Sequence, residues 1–346
     1  MLGTLAAGTA YFLLKRVLGA VATMLTLATV VFFLLKLVPG DEARVAAGPG
    51  ATPEQVESVR QQLGLDDPLV VQWLHFLGRL LHGDLGTSSS SHGPVGRAVA
   101  DVLPGTAELV VTAIVLSVLI GIPLAALSAL RERGAGESAR RVLVIVAAGL
   151  PVFWLALMLQ FVFGAKLGVL PISGRLSAWF DVPRITGSTV LDSLLAGNPM
   201  AAWDAVQHLF LPALVLAVPQ IGVIYRVARA ELLRVLTREH VHVARANGVP
   251  RSRLVRRHVV PQAMSPVIIL LGIEFSYLFG GAVLVESVFG RDGLGSFLTN
   301  AAAQKDTVSV EGGVLVIGLV VVLTSLLVDL VQMVRDPRVR TAEMGA

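Results

Sequence analysis

The sequence contains no cysteine, and lysine is scarce. Without cysteine the chain can form no disulfide, thiolate zinc site, iron–sulfur cluster or cysteine nucleophile. Its only lysines are Lys15, Lys36, Lys166 and Lys305, and none follows a glycine. A phosphate-binding P-loop needs Gly-Lys-Ser/Thr, so we expect this chain not to bind ATP in that way.

Charged residues are also few, at 15% of the chain, whereas 54% are hydrophobic and the mean hydropathy is +0.75. This composition is typical of a membrane protein embedded in lipid. The net charge of +4 could suggest a nucleic-acid partner. In so apolar a chain, however, we interpret the arginines as a record of membrane orientation, and we expect no nucleic-acid binding.

Six apolar runs have the roughly 20 residues that a helix needs to cross a bilayer. They predict an all-α membrane protein with spans at 17–38, 105–130, 142–164, 208–227, 264–285 and 312–334. Lys15 and Arg16 before the first run resemble the start of a signal peptide. The run is longer than the apolar part of a signal peptide, so we expect a retained helix.

The basic residues predict the orientation. Segments 1–16, 131–141, 226–261 and 335–346 hold 18 Lys and Arg in 75 residues, whereas 39–103, 166–207 and 287–311 hold 9 in 132. Basic residues favour the cytoplasmic side. We therefore expect cytoplasmic segments at 1–16, 131–141, 228–263 and 335–346, and external segments at 39–104, 165–207 and 286–311.

The first external segment carries signals for short helices. Thr52, Pro53 and Gln55 predict a helix start with a capping box, and Pro68 predicts a second start. The serine-rich stretch from 86 to 93 predicts a flexible tip. His82 and His92 with Asp84 form no convincing metal cluster, so no metal site is expected.

Glu274 is the one carboxylate deep within a predicted span. It could serve the transport pathway or relay a proton, because ionisable groups in a bilayer mark function. Alternatively it makes a structural hydrogen bond with Tyr277, Gln160 or Gln220. These four residues are the candidate polar groups of a pathway.

The stretch from 226 to 266 is the most informative. Arg234, Arg238, His242 and Arg245 recur at helical spacing, which predicts a helix that continues the fourth span. Gly248 predicts its end, with Pro250 two residues beyond. Such a slim, small-residue turn suits the groove of a soluble partner, or it is a basic loop near anionic lipid.

These residues resemble the permease subunits of ATP-binding cassette (ABC) importers that work with an external binding protein. That family has a cytoplasmic motif of Glu-Ala-Ala, three residues, Gly, nine residues and Ile-x-Leu-Pro. Counting from Gly248 places Ala244 on the second alanine and Pro261 on the proline. His242 and Val243 replace the glutamate and the first alanine, and the run 243–248 resembles the variant of dipeptide and oligopeptide permeases.

The resemblance covers most of the chain. Glu286 and Phe289, followed by Gly293 and Gly295, resemble the last external loop of these permeases. Further matching stretches lie at 63–68, 83–88, 153–156, 170–174 and 336–340.

The resemblance implies the type I ABC importer permease fold, with short external helices, in the bacterial inner membrane. It implies a non-catalytic subunit that pairs with a second permease and with two cytoplasmic ATPase domains, which would bind ATP and Mg. The external side would receive a substrate-binding protein. The residues of the coupling helix would be Arg238, His242, Val243, Ala244, Arg245, Ala246, Asn247, Gly248, Pro250 and Pro261.

The implied cargo is a dipeptide or oligopeptide. Nickel, glutathione or another small solute would fit the same architecture. A different class, an ion-coupled carrier that uses Glu274, and a membrane scaffold or channel remain as alternatives.

Overall fold

The computed structural model describes residues 2–38, 40–48, 50–130 and 135–335. The predicted C-terminal motif at 336–340 and part of the predicted loop 131–141 lie outside these residues. The chain forms two compact units: unit 1 comprises Met1–Pro104 and Asp292–Ala346, and unit 2 comprises Gly105–Arg291. The described residues form helices and no named strand.

Unit 1 contains two long apolar helices, α1 (Leu2–Lys36) and α14 (Thr307–Arg335), which pack against each other. Gly318 makes the close approach possible, because a Cβ there would lie 2.1 Å from Leu27 Cδ2. The shorter helices are α2 (Glu42–Ala47), α3 (Pro53–Gln62), α4 (Leu69–Leu81), the first part of α5 (Val95–Leu130) and α13 (Leu294–Ala303).

The predicted helix starts in unit 1 are confirmed. Thr52 caps α3, with Gln55 N–H donating to its hydroxyl and the Gln55 side chain accepting from its backbone. Pro68 immediately precedes α4. The apolar face of α4 is held by Phe76, which stacks on Phe32 of α1 with ring centroids 5.3 Å apart.

The expectation of a flexible tip at 86–93 is wrong. Thr87 and Pro94 form an antiparallel bridge, and Ser88 N–H donates to Gly93 O at 2.9 Å. Ser88 and Ser89 are buried. A serine run looks flexible by composition, but here a carboxylate distant in sequence supplies the hydrogen bonds that order it.

Unit 2 contains the remainder of α5, then α6 (Ala135–Ala148) and α7 (Val152–Leu159), which continues as a π-helical turn, Gln160–Lys166. After α8 (Thr189–Leu195) come α9 (Pro199–Leu236), α10 (Glu239–Ala246) and α11 (Arg251–Leu254). A π-helical turn, Val255–Val259, leads into α12 (Val260–Val288). Helices α9 and α12 pack along each other around buried Ile224 and Val267.

The segment predicted as a third span, 142–164, falls on two helices rather than one. The stretches Gly136–Ala148 and Val152–Lys166 meet at an angle of 102°. Pro151 stands at the break in an extended conformation, φ −60° and ψ 130°, and provides no N–H to continue the hydrogen-bond ladder.

Among the described residues, five helices are long and apolar enough to cross a membrane, and counting the bent pair as one span gives six. The five are Leu14–Lys36, Val95–Leu130, Pro199–Leu236, Val255–Val288 and Thr307–Val331.

Candidate functional site

The fourth span continues beyond residue 227 as predicted, since α9 runs to Leu236, but the predicted coupling segment is a separate short helix, α10, so the prediction of one continuous helix up to Gly248 is wrong. Helix α9 ends at Leu236, where the Thr237 hydroxyl donates to Arg234 O at 2.9 Å. Arg238 then adopts an extended conformation, φ −74° and ψ 146°, and α10 begins at Glu239. The helical spacing of the arginines therefore spans two separate helices.

The predicted end of this helix at Gly248 is confirmed. Gly248 has φ +77°, and its N–H donates to Arg245 O at 3.0 Å. Val249 N–H donates to Ala244 O at 3.2 Å. This pair of bonds around a left-handed glycine satisfies the last carbonyls of the helix and turns the chain away from it.

Helix α10 touches the rest of unit 2 through one face only. Val241 is 1% exposed and belongs to the same apolar core as Leu232, Leu254 and Val259. Ala244 is half-buried against that core. The exposed residues of the segment are Arg238, His242, Val243, Arg245, Ala246, Asn247, Gly248 and Pro250, and Pro261 at the start of α12 is exposed as well.

Gln262 of α12 fixes the start of α10. Its amide oxygen accepts from Arg238 Nη1 at 3.4 Å, and its amide nitrogen contacts His240 Nε2 at 3.2 Å. The segment thus presents an exposed surface on a fixed support, which is the geometry that a docking surface needs.

A polar network at the C-terminal end of α5 supports the last part of α9, just before α10. Ser128 Oγ and Tyr225 OH share a hydrogen bond of 2.9 Å. Arg229 Nε donates to Ser128 Oγ at 3.1 Å, and its Nη2 pairs with the Glu137 carboxylate. This network joins α5, α6 and α9.

Of the four candidate pathway residues, the structure brings together only Glu274 and Gln220. Glu274 interacts with the side chain of Gln220, which is one of the structural partners considered for it. Gln160 instead donates to Ile172 O at 2.8 Å and to Val288 O at 3.1 Å, so it ties a loop to the end of α12. Tyr277 is 72% exposed.

Tyr277 belongs to a stripe along α12. Its exposed members follow one another at helical spacing: Ile273, Tyr277, Gly280 and Leu284. A stripe that is mostly apolar, with a single phenol, can contact lipid or another helix.

The residues of the predicted external motif divide between the two units. In unit 2, Glu286 is buried and accepts from Thr106 Oγ1 at 2.6 Å, and Phe289 is buried. In unit 1, Gly293 immediately precedes α13, and Gly295 is buried in its first turn.

An ionic cluster in unit 2 was not predicted from the sequence: the buried Arg291 lies with the partly buried Glu108 and Arg175. Glu108 accepts from Arg291 Nη2 at 2.8 Å and pairs with Arg175 at 3.4 Å. It also accepts from Ser188 Oγ at 2.6 Å and from Val190 N at 2.9 Å. The available signal was a carboxylate inside an apolar run, since such a charge requires a partner.

Arg291 is the most enclosed member of the ionic cluster, with 1% of its surface exposed. Burial lowers its pKa to about 10, against the opposing attraction of Glu108. The guanidinium therefore remains charged at neutral pH. Among the described residues its Nε and Nη1 have no hydrogen-bond partner, so the energetic balance of this buried charge depends heavily on Glu108.

In unit 1, Asp306 gathers hydrogen bonds from three serines, as Glu108 gathers them from its neighbours in unit 2. This arrangement was not predicted from the sequence either. The Asp306 carboxylate accepts from Ser88 Oγ at 2.5 Å, from Ser90 Oγ at 2.9 Å and from Ser309 Oγ at 2.8 Å. Burial acts to raise the pKa of Asp306, but the hydrogen bonds outweigh it and hold the pKa below its ordinary value.

The described residues contain no group of three or more His, Asp or Glu arranged to hold a metal ion. Of His82, His92 and Asp84, which were considered and set aside as a metal cluster, His82 contacts Gly78 O and Asp84 accepts from Gly86 N.

Two family models match the chain. Residues 121–341 match the binding-protein-dependent transport system inner membrane component, and residues 9–110 match the N-terminal part of such membrane components.

Curated relatives are similar over nearly their full length. A probable D,D-dipeptide transport system permease of Escherichia coli (strain K12) is 39% identical over 94% of this chain and 96% of its own. A dipeptide transport system permease of the same strain is 33% identical over 95% and 98%. A putative peptide transport system permease of Brucella abortus (strain 2308) is 36% identical over 95% and 98%.

Proposed function

This chain belongs to the family of binding-protein-dependent transport system inner membrane components, and from that premise we propose that it is the membrane-spanning permease subunit of an ATP-driven peptide importer. The observation that carries the proposal is α10, an exposed short helix on a buried apolar anchor. Three curated relatives with similar sequences are named as dipeptide or peptide transport permeases, which supports peptide as the cargo.

In this proposal α10 docks in a groove of a cytoplasmic ATPase subunit. The exposed Val243 and Ala246 supply apolar contact, and Arg245 supplies a polar contact to the ATPase. When the ATPases close on ATP and Mg, they displace α10. Because Val241 packs in the core that contains Leu232 and Val259, the displacement reaches α9 and α12 and changes the access of the pathway.

The proposed assembly contains a second, similar permease, two ATPase domains and an external substrate-binding protein. This chain performs no catalysis, since ATP is hydrolysed by its partners. The density of basic residues supports cytoplasmic segments at 1–16, 131–141, 228–263 and 335–346, and external segments at 39–104, 165–207 and 286–311. The assembly lies in the bacterial inner membrane.

The exposed α12 stripe, with Tyr277 at its centre, is the surface that we assign to the interface with the second permease and to the pathway. Glu274 and Gln220 form a polar pair between α12 and α9. A pathway of this kind has few fixed charges, which suits peptides whose side chains differ. We therefore place selectivity mainly in the binding protein.

The decisive experiment substitutes Gly248→Asp in the reconstituted transporter. The left-handed conformation at Gly248 disfavours a side chain, and a carboxylate there would stand on the docking surface. We expect ATP hydrolysis to lose its link to transport and peptide uptake to fall at least tenfold. Gly197→Asp is the matched control, since Gly197 is also left-handed, at φ +68°, with open space around it.

Unchanged uptake in Gly248→Asp would contradict the assignment of α10. Uptake that survives ATP depletion but collapses with the ion gradient would contradict the ATP-driven mechanism and favour a carrier that uses Glu274.

A further inference from the structure

Helix α4 (Leu69–Leu81) in unit 1 is apolar, but it has only 13 residues. A helix needs roughly 20 residues to cross a bilayer, so α4 does not span the membrane. The preceding helix, α3, differs from it in being mostly polar and in having no buried residue. An apolar helix of this length is either enclosed by protein or lies partly in lipid.

One face of α4 packs against α1. Phe76 is buried on this face and stacks on Phe32 of α1. Trp73 Nε1 donates to Thr29 Oγ1 of α1 at 3.3 Å, and Leu80 is partly buried in the same apolar cluster. The position of α4 relative to α1 is therefore fixed by both apolar and polar contacts.

These contacts lie inside the apolar stretch of α1. That stretch runs from Leu14 to Lys36 and is long enough to cross a membrane, and the chain belongs to a family of inner membrane components. Thr29 precedes Lys36 by seven residues, which is about 10 Å along a helix. Helix α4 therefore meets α1 below the end of the span, at the depth of the lipid acyl chains.

A second apolar face of α4 has no protein contact that buries it. Its members are Val70, Leu74 and Leu81, and all three are exposed. They are spaced by four and seven residues, so they lie on one side of the helix. We call this face the α4 stripe.

The polar residues of α4 lie on another side of the helix. Gln72, His75 and Arg79 follow one another at spacings of three and four residues. The Gln72 amide donates to Leu65 O at 3.0 Å and to Asp67 O at 2.8 Å, and His75 and Arg79 are exposed. A helix with separate apolar and polar sides is typical of the boundary between lipid and water.

Helix α1 also exposes apolar side chains at the level where α4 meets it, namely Val30, Phe33 and Leu34. On a helix that crosses a bilayer, such residues contact acyl chains. The α4 stripe lies beside this level and has no charged or hydrogen-bonding side chain. Lipid is therefore the occupant that matches both the depth and the chemistry of the stripe.

We propose that α4 lies within one leaflet of the bilayer and that phospholipid acyl chains cover the α4 stripe. The side with His75 and Arg79 faces water and headgroups. Unit 1 then has a membrane attachment that does not cross the bilayer, in addition to α1 and α14. This attachment is independent of the α10 surface and of the cargo.

The absence of cysteine makes a direct test possible, because a single introduced cysteine can be labelled without background. Val70→Cys and Leu81→Cys place a nitroxide label on the α4 stripe, and His75→Cys is the matched control on the polar side of the same helix. Electron paramagnetic resonance of the transporter in lipid nanodiscs measures collisions with oxygen, which dissolves in acyl chains, and with a water-soluble nickel chelate. We expect the oxygen-to-nickel ratio at both stripe positions to exceed that at residue 75 at least threefold.

Two further positions calibrate this ratio. Leu34→Cys lies on the exposed side of α1 and gives the value for lipid contact, and Ser58→Cys lies on the exposed side of α3 and gives the value for water. We expect Val70 and Leu81 to resemble Leu34, and His75 to resemble Ser58.

Fluorescence provides a second measurement that needs no label on α4. Trp154, Trp179 and Trp203 are exposed, so their replacement by phenylalanine leaves Trp73 as the sole tryptophan at little structural cost. Phosphatidylcholine brominated in its acyl chains should then quench the fluorescence of Trp73 at least twofold relative to the unbrominated lipid.

Three results would overturn the proposal. High accessibility of both stripe positions to the nickel chelate would mean that water covers the stripe. Low accessibility to both reagents would mean that another protein, such as a second permease, covers it. Fluorescence of Trp73 that brominated lipid does not quench would place α4 outside the acyl chains.

Discussion

The proposed coupling helix α10 and the ionic cluster of Glu108, Arg175 and Arg291, both in unit 2, are opposite kinds of structure. Along α10 the side chains are mostly exposed, the backbone is regular and a single residue, Val241, is fully buried. In the ionic cluster Arg291 is fully buried, Glu108 and Arg175 are partly buried, and both arginines pair with the Glu108 carboxylate. Glu108 and Arg291, which pair directly, are 183 positions apart in the sequence.

The two regions differ in how far apart in the sequence the residues that define them lie. A docking helix is defined by neighbours in sequence, such as the alanines and Gly248, so its pattern is visible in a single chain. An ionic cluster is defined only by folding, because its members come from separate helices and loops. Substitutions should therefore separate the two regions: changes in the cluster should reduce stability, and changes on the exposed surface should reduce coupling.

The largest effect is expected for Glu108→Ala. It leaves the Arg291 guanidinium buried beside Arg175 without its main counter-charge, which should cost about 3–5 kcal/mol. Thermal unfolding of the purified transporter should show a marked drop in Tm, whereas Glu57→Ala, at an exposed carboxylate, should change it little. Equal Tm values for the two variants would contradict a stabilising role of the Glu108 charge in the cluster.

The second-largest loss of stability is expected for Asp306→Asn. This substitution weakens the hydrogen bonds to three serines and should lower the free energy of unfolding by about 2–3 kcal/mol. Because the folded-state pKa of Asp306 is lowered, its contribution is fully present above the ordinary aspartate pKa of about 4 and is lost as the pH falls through the folded value.

Tm measured from pH 7 down to pH 3 provides the check on Asp306. The difference between the unsubstituted chain and Asp306→Asn should be constant near neutral pH and should shrink below about pH 4. A difference that persists unchanged at pH 3 would show that the carboxylate charge is not responsible.

The smallest effect on stability comes from a matched pair on α10. Val241 is 1% exposed and Val243 is 55% exposed, although they are two residues apart. Val241→Ala should cost about 2 kcal/mol, because it removes buried methyl groups. Val243→Ala should leave Tm unchanged within error but weaken ATPase binding in a pull-down assay. If Val243→Ala retained full ATPase binding, the exposed face would not be the docking face.

The sequence was informative wherever a local pattern determines local structure. Thr52 with Gln55 predicted a helix start, and Gly248 predicted a helix end, because capping requires only neighbouring residues. The apolar runs indicated the membrane helices for the same reason.

Two failures have one cause, which is interaction between residues far apart in the sequence. The serine run at 86–93 is ordered by Asp306, and the ionic cluster is assembled from distant residues. The break at Thr237 was hidden because the arginine spacing continues across it. The bend at Pro151 had a visible signal, but an apolar run by itself does not distinguish a straight helix from a bent pair.

The single-sided anchoring of α10 has an evolutionary consequence. Exposed positions accept substitution at little cost in stability, and His242 and Val243, where the sequence departs from the family motif, are both exposed. Under the proposed docking to an ATPase, the surface can therefore diverge together with the groove that receives it while Val241 and Gly248 preserve the fold. In a cell with several related transporters, such paired divergence would keep each permease with its own ATPase.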